Sequence, residues 1–106
     1  STTSRERRPP GVNHLVLTAC IAAAAAPRYT PAGLPALDIQ LEHESQVPEA
    51  GQMRQVKVAI RAVAFGGVAE TLRQQAIGSA WRFSGFLATP RNGKHPVLHI
   101  QSFQQA

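Results

Sequence analysis

The sequence predicts a small all-β domain of five strands, with one short helix between the third and fourth strands. Two observations support this prediction. Apolar and polar side chains alternate with a period of two over five separate stretches, and clusters of Gly and Pro separate those stretches. A chain of 106 residues also favours one domain with a modest core.

The first three strands are predicted before the helix. Alternation over residues 13–21 predicts the first strand, and residues 22–26 form its end or a loop. Turn residues at 30–35 precede a second strand at 37–42, after which the polar stretch 44–52 is expected to interrupt the sheet. The third strand, 55–64, has Val, Ile and Ala on one face and polar residues with Ala59 on the other.

The helix and the last two strands complete the pattern. Apolar residues at helical spacing predict a helix over 68–76, which Gly78 ends. Strands follow at 81–87 and 97–103, separated by the turn residues 90–93. A helix between the third and fourth of five strands is the order of an OB-fold, a five-stranded Greek-key barrel.

Composition excludes several classes of protein. No apolar run approaches the roughly 20 residues of a membrane span. The single cysteine, Cys20, excludes an internal disulfide framework, is compatible with the cytoplasm, and is expected to be buried in its apolar run. Residues 1–11 carry three arginines and are predicted to be a disordered leader or the remnant of an expression tag, so the OB-fold domain is placed at 12–104.

The residues give little support for an enzyme. Glu42, Glu44 and Glu49 lie around one polar stretch with His43 between the first two, which suggests only a remote acid–base or metal site. The four histidines lack the spacing of zinc motifs. No nucleotide-binding glycine motif is present, so neither a cofactor nor a metal is expected. Trp81 and Phe83 are predicted to fill the core, whereas Phe86 fits a subunit interface and a ligand surface equally well.

The basic residues give a stronger signal. The net charge is +5 and the pI about 10.7, which suits a polyanionic partner. In an OB-fold the ligand surface combines strands two and three with the loops that join strands one to two and four to five. The residues predicted to converge there are Arg28 and Tyr29, Lys57 and Arg61, and Arg91 and Lys94. Basic residues that contact phosphates and an aromatic that stacks on a base would bind a single strand, while a solvated basic face remains the alternative.

Several motifs together resemble the family of primosomal replication protein N, the PriB family. They run in one collinear order: NHLVLT at 13–18, PRYTPAGLP at 27–35, LEHES at 41–45, EAG at 49–51, SGFL at 84–87 and VLHI at 97–100. The resemblance implies a homodimeric OB-fold without enzymatic activity, related to bacterial single-stranded DNA-binding proteins. It also implies a cytoplasmic protein that binds single-stranded DNA at stalled forks, stabilises the restart helicase there and helps to load other primosome proteins.

The family's DNA contacts map onto Arg91 and Lys94, Arg28, and Arg54 and Lys57. Two positions depart from the family, because Lys57 and Gln52 stand where the resemblance implies aromatics. A lost stacking platform removes about 1–3 kcal/mol per base, so we expect weak and strongly salt-dependent binding. The same departures leave open a second hypothesis, an OB-fold adaptor whose basic face docks an acidic partner and whose DNA affinity is incidental.

Overall fold

The computed structural model describes residues 11–106, so the leader predicted at 1–11 lies outside the described residues apart from Gly11. Within the described range no helix has the length and hydropathy needed to cross a bilayer. Six strands and one helix follow in the order β1 (Leu15–Ala24), β2 (Arg28–Tyr29), β3 (Pro35–Glu49), β4 (Gln52–Phe65), α1 (Gly67–Leu72), β5 (Ala80–Ala88) and β6 (Val97–Gln105).

The five long strands close into a barrel. Around it, β1 is hydrogen-bonded to β5, β5 to β6, β6 to β4, β4 to β3, and β3 back to β1. The β4–β6 contact is parallel and the other contacts are antiparallel. β2 adds a two-residue strand at the start of β3. This closed barrel, with its helix between the third and fourth long strands, is the OB-fold, and the predicted fold class is confirmed.

The core lies inside the barrel and follows the predicted alternation. Phe83 from β5 and Leu41 from β3 are fully buried, and α1 packs Leu72 against the same cluster. Trp81 lies at the margin of the core, where its ring meets that of Phe103 edge-on at 5.3 Å. The helix ends at Leu72, before the predicted end at 76, and the turns that follow it lead into β5.

The predicted interruption at residues 44–52 is wrong. β3 runs to Glu49 and β4 begins at Gln52, so that stretch is a hairpin with its turn at Ala50 and Gly51. We call residues 43–58 the hairpin arm. Beyond Glu42, β3 no longer pairs with β1, so solvent reaches both faces of the arm and polar side chains occupy both. The apolar alternation therefore disappears although the strands continue.

The prediction of a buried thiol is also wrong, because Cys20 is exposed. Its neighbours Ala19 and Ile21 are buried on the inner face of β1. Successive residues of a strand point to opposite sides, so Cys20 lies on the outer face. The apolar composition of the run suggested that Cys20 is buried. Its exposure is set instead by the face of β1 to which its side chain points.

Gly85 lies where the backbones of β5 and β6 are in close contact. The register between β5 and β6 shifts between Ser84 and Gly85, as at a β-bulge. A β-carbon at residue 85 would overlap the carbonyl oxygen of His99. The glycine thus permits the backbone contact on which the pairing of Phe86 with His99 depends.

Candidate nucleic-acid interface

A groove crosses the outer surface of the barrel between β3, β4 and the loop of residues 89–96. It consists of two depressions of about 530 and 620 Å³. Both are lined by Gln40, Arg61, Pro90 and Val97, so they are continuous. We call this feature the cationic groove.

Three of the predicted residues lie along the cationic groove. Arg61 lies at its centre and lines both depressions, because it belongs to the outward-facing residues of β4. Lys94, with His95 beside it, lines one end from the 89–96 loop, and Arg28 lines the other end. Within residues 11–106, neither Arg61 nor Lys94 forms an ion pair. These two side chains are therefore available to an external anion.

Arg28 is already engaged. Its Nε donates to Asp38 Oδ2 at 2.7 Å and its Nη2 donates to Asp38 Oδ1 at 3.2 Å. The hydrogen bond and then the negative charge of Asp38 raise the pKa of Arg28 above its ordinary value. Both side chains remain about half exposed, 50% for Arg28 and 46% for Asp38, so the pair is accessible from the groove.

The hairpin arm carries two more predicted residues, and the structure does not bring them together. Arg54 and Lys57 are three residues apart on β4, so their side chains point to opposite faces. Lys57 Nζ lies 3.6 Å from Glu44 Oε1 in an adjoining depression, and Arg54 Nη1 lies 2.7 Å from Glu49 Oε1. Only Lys57 shares the outward face of Arg61.

Arg91 and Tyr29 lie away from the groove lining. Arg91 is exposed in the 89–96 loop but does not line either depression. Tyr29 is 72% exposed and borders a small cavity beside α1, together with Glu70 and Arg73. A base that stacks on Tyr29 would therefore contact the barrel next to the helix.

Three aromatic rings lie together in the structure, and the sequence did not indicate this cluster. Phe86 and His99 are stacked, with ring centroids 4.8 Å apart and planes inclined by 14°, and Phe65 lies 5.9 Å from His99. Phe65 is 38% exposed, four residues after Arg61 and on the same outward face of β4. The even spacing of Lys57, Arg61 and Phe65 could have indicated that these side chains share one face of β4. We call Phe65, Phe86 and His99 the aromatic cluster.

The acid–base site suggested around His43 does not assemble. His43 lies between Glu42 and Glu44 on β3, so its ring points away from both carboxylates. Its Nδ1 donates to the Thr18 carbonyl at 2.6 Å, and the Ser45 hydroxyl donates to its Nε2 at 2.8 Å. In the described part of the chain, no group of three His, Cys, Asp or Glu side chains could hold a metal ion.

Comparisons with known proteins give a family match and several relatives. Residues 13–102 match the model of a family described as another single-strand binding protein family. The replication restart protein PriB of Bordetella pertussis is 45% identical over 91 residues, which cover 85% of each chain. The crystal structure of PriB from Ralstonia solanacearum superposes with a TM-score of 0.82 at 36% identity, covering 90% of this chain and 98% of that one.

A more distant structure shows the same fold. A deletion mutant of the single-stranded DNA binding protein from Thermus aquaticus superposes with a TM-score of 0.70 at 25% identity, covering 89% of this chain and 50% of that one. The fold and the matched range define a protein of the single-strand binding class. Within that class, the chain belongs to the PriB family of replication restart proteins.

Proposed function

We propose that this chain binds single-stranded DNA without sequence preference along the cationic groove, as an accessory protein of replication restart. The carrying observation is the continuous groove with Arg61 and Lys94 free of carboxylate partners within the described residues. Cations in a groove bind the phosphates of a flexible strand through its uniform backbone, so no base sequence is favoured.

The aromatic cluster supplies a surface for bases. It follows Arg61 and Val97 along the outward faces of β4 and β6, so a strand whose phosphates contact Arg61 places bases toward Phe65 and the stacked pair. This surface replaces the aromatics that are absent at Gln52 and Lys57. The departures from the family thus change where bases stack, and the chain keeps a stacking surface.

The proposal includes the wider role that the resemblance implies. The protein acts as a homodimer in the bacterial cytoplasm, stabilises the restart helicase on DNA and helps to assemble the primosome. Its named relatives are replication restart proteins, which supports that setting. We propose no catalytic step, cofactor or metal.

The test is fluorescence anisotropy of a labelled oligo-dT strand at two salt concentrations, with Arg61→Ala and Lys94→Ala. Each variant removes one charged phosphate contact, so we expect affinity to fall about tenfold at low salt. The salt dependence of log K should become shallower by about 0.7 per lost contact. Arg82→Ala removes the same charge from an exposed position on β5 that lines neither depression, and is the matched control. It removes no phosphate contact, so the slope should stay unchanged and affinity should change less than about twofold.

A second arm tests stacking. Phe65→Leu should weaken binding of oligo-dT about fivefold or more, because stacking contributes about 1–3 kcal/mol per base, and should leave binding of an abasic strand of equal length unchanged. Equal losses for both strands would argue against base stacking at Phe65.

The adaptor remains the second candidate, because three of the predicted DNA-contact cations are already paired with carboxylates. No oligo-dT binding at low salt, together with salt-sensitive binding to the restart helicase alone, would favour the adaptor.

A further inference from the structure

Asp38 places a carboxylate in the cationic groove, against the guanidinium of Arg28. It lies on β3, lines the same depression as Arg28 and Arg61, and remains about half exposed. Its two oxygens accept hydrogen bonds from Nε and Nη2 of Arg28. Those two donors form the side of the guanidinium that binds carboxylate and phosphate groups in a bidentate manner.

The carboxylate has two effects on an approaching strand. It occupies the Nε donor and one Nη2 donor of Arg28, and its negative charge repels a phosphate in the same depression. An exposed ion pair has a net stability of only about 0–1 kcal/mol, so a phosphate can displace it, but at a cost to affinity. Arg61 and Lys94 have no such competitor within the described residues.

We propose that Asp38 is an affinity-limiting residue, which competes intramolecularly with DNA phosphates for Arg28 and so keeps single-strand binding weak and readily reversible. This inference rests on the proposed function. Glu44 with Lys57 and Glu49 with Arg54 repeat the pattern on the hairpin arm. Asp38 is the strongest case because its pair with Arg28 is bidentate and lies in the groove itself.

Asp38→Asn tests the inference, because it removes the charge and keeps the size of the side chain. We expect about threefold tighter binding of labelled oligo-dT at low salt. The slope of log K against log salt should become steeper by about 0.7, as one more phosphate is contacted. In the Arg28→Ala background Asp38→Asn frees no donor, so the slope should not become steeper there and the gain in affinity should shrink to the part that comes from removed repulsion.

Glu42→Gln is the matched control. Glu42 lies on the same strand and the same face as Asp38, is exposed, and forms no ion pair within residues 11–106. It removes the same charge but frees no cation, so the slope of log K against log salt should stay unchanged and any gain in affinity should be smaller than that of Asp38→Asn. An equal gain from Glu42→Gln would overturn the inference, because general repulsion would then explain both results.

The outcomes separate this inference from the proposed function. If the unaltered protein binds oligo-dT while Asp38→Asn weakens binding or leaves it unchanged, the competition is refuted and the proposed function stands. If neither protein binds at low salt, both are refuted. Binding that appears only with Asp38→Asn would support the competition directly.

Discussion

Single residues decide whether the aromatic cluster can form, and Gly85 shows this most directly. The bulge at Gly85 lets β5 approach the backbone of β6 at His99, next to the place where Phe86 stacks. Any side chain at residue 85 would have to displace a backbone carbonyl, which is held in the sheet and cannot rotate away.

Gly85→Ala is therefore expected to be strongly destabilising. The overlap of the new β-carbon with the His99 carbonyl oxygen should lower the free energy of unfolding by about 2–3 kcal/mol and the Tm by about 10 °C. Thermal unfolding followed by circular dichroism measures both values.

Gly67→Ala is the control for that substitution. A β-carbon at Gly67 meets nothing within 4 Å, and Ala favours the helix, so the free energy of unfolding should stay the same or rise by up to about 1 kcal/mol. Equal stability of the two variants would show that the strands accommodate a side chain at residue 85.

The faces of individual residues were predictable wherever the alternation was clear. Lys57 and Arg61 lie on one side of β4 as predicted, because strand geometry fixes the phase. The pairing of Arg28 with Asp38 was not predictable, since it depends on how the chain between β1 and β3 folds back. Cys20 shows that composition is a poorer guide to burial than phase.

At the scale of elements, the hairpin arm differs most from the barrel strands. Residues 43–58 form a two-stranded ribbon, because β3 pairs with β1 only up to Glu42 and β4 pairs with β6 only at Ala62 and Val63. Two-stranded ribbons are marginally stable in water. The cross-strand pair of Lys57 with Glu44 supports this one, as does Arg54 with Glu49.

Ala50→Asn should stabilise the arm. Ala50 has φ 53° and Gly51 has φ 81°, and two positive values in succession favour Asn-Gly. Asn tolerates the left-handed region better than Ala, so the arm should gain about 0.5–1 kcal/mol. Amide hydrogen exchange of residues 43–58 should slow about threefold, with no change in the barrel.

Ala50→Val makes the opposite change. A β-branched side chain is disfavoured at positive φ, so exchange in the arm should accelerate. Slower exchange in the Val variant would contradict the turn described here.

The arm also shows where prediction from sequence reached its limit. Five strands and a helix were recognised because one face of each is apolar and packs into the core. The arm has no such face, so its polar residues resembled a loop. Its strands are held by backbone hydrogen bonds and by pairs of opposite charges across the ribbon. Neither interaction leaves a periodic pattern in the sequence.

At the scale of the whole molecule, some apolar side chains remain exposed on the single chain. Val16 on β1 and Val47 on the arm are exposed. The barrel could be predicted from the order of its strands and helix. The groove could not, because it depends on the register between strands that are distant in sequence. A dimer interface depends on a second chain, which sequence alone does not position.

Homodimer formation is the prediction at this scale. Covering those side chains with a second copy removes apolar surface from water, so sedimentation equilibrium at micromolar concentration should return twice the chain mass of 11.4 kDa. Repeating the run in high salt distinguishes apolar from charge-based association, because only the latter weakens. A mass near 11.4 kDa at all concentrations would contradict the dimer.

The order in which strands pair has a consequence for synthesis on the ribosome. In β1, residues 15–19 pair only with β5, through contacts such as Leu15 with Gly85, whereas the residues from Cys20 onward pair with β3. At about 5–20 residues per second, β5 follows β1 by several seconds. During that interval residues 15–19 have no strand partner, and the barrel closes only after β6 has followed, because β6 joins β5 to β4. The first residues of β1 can therefore complete their pairing only after β5 has been synthesised.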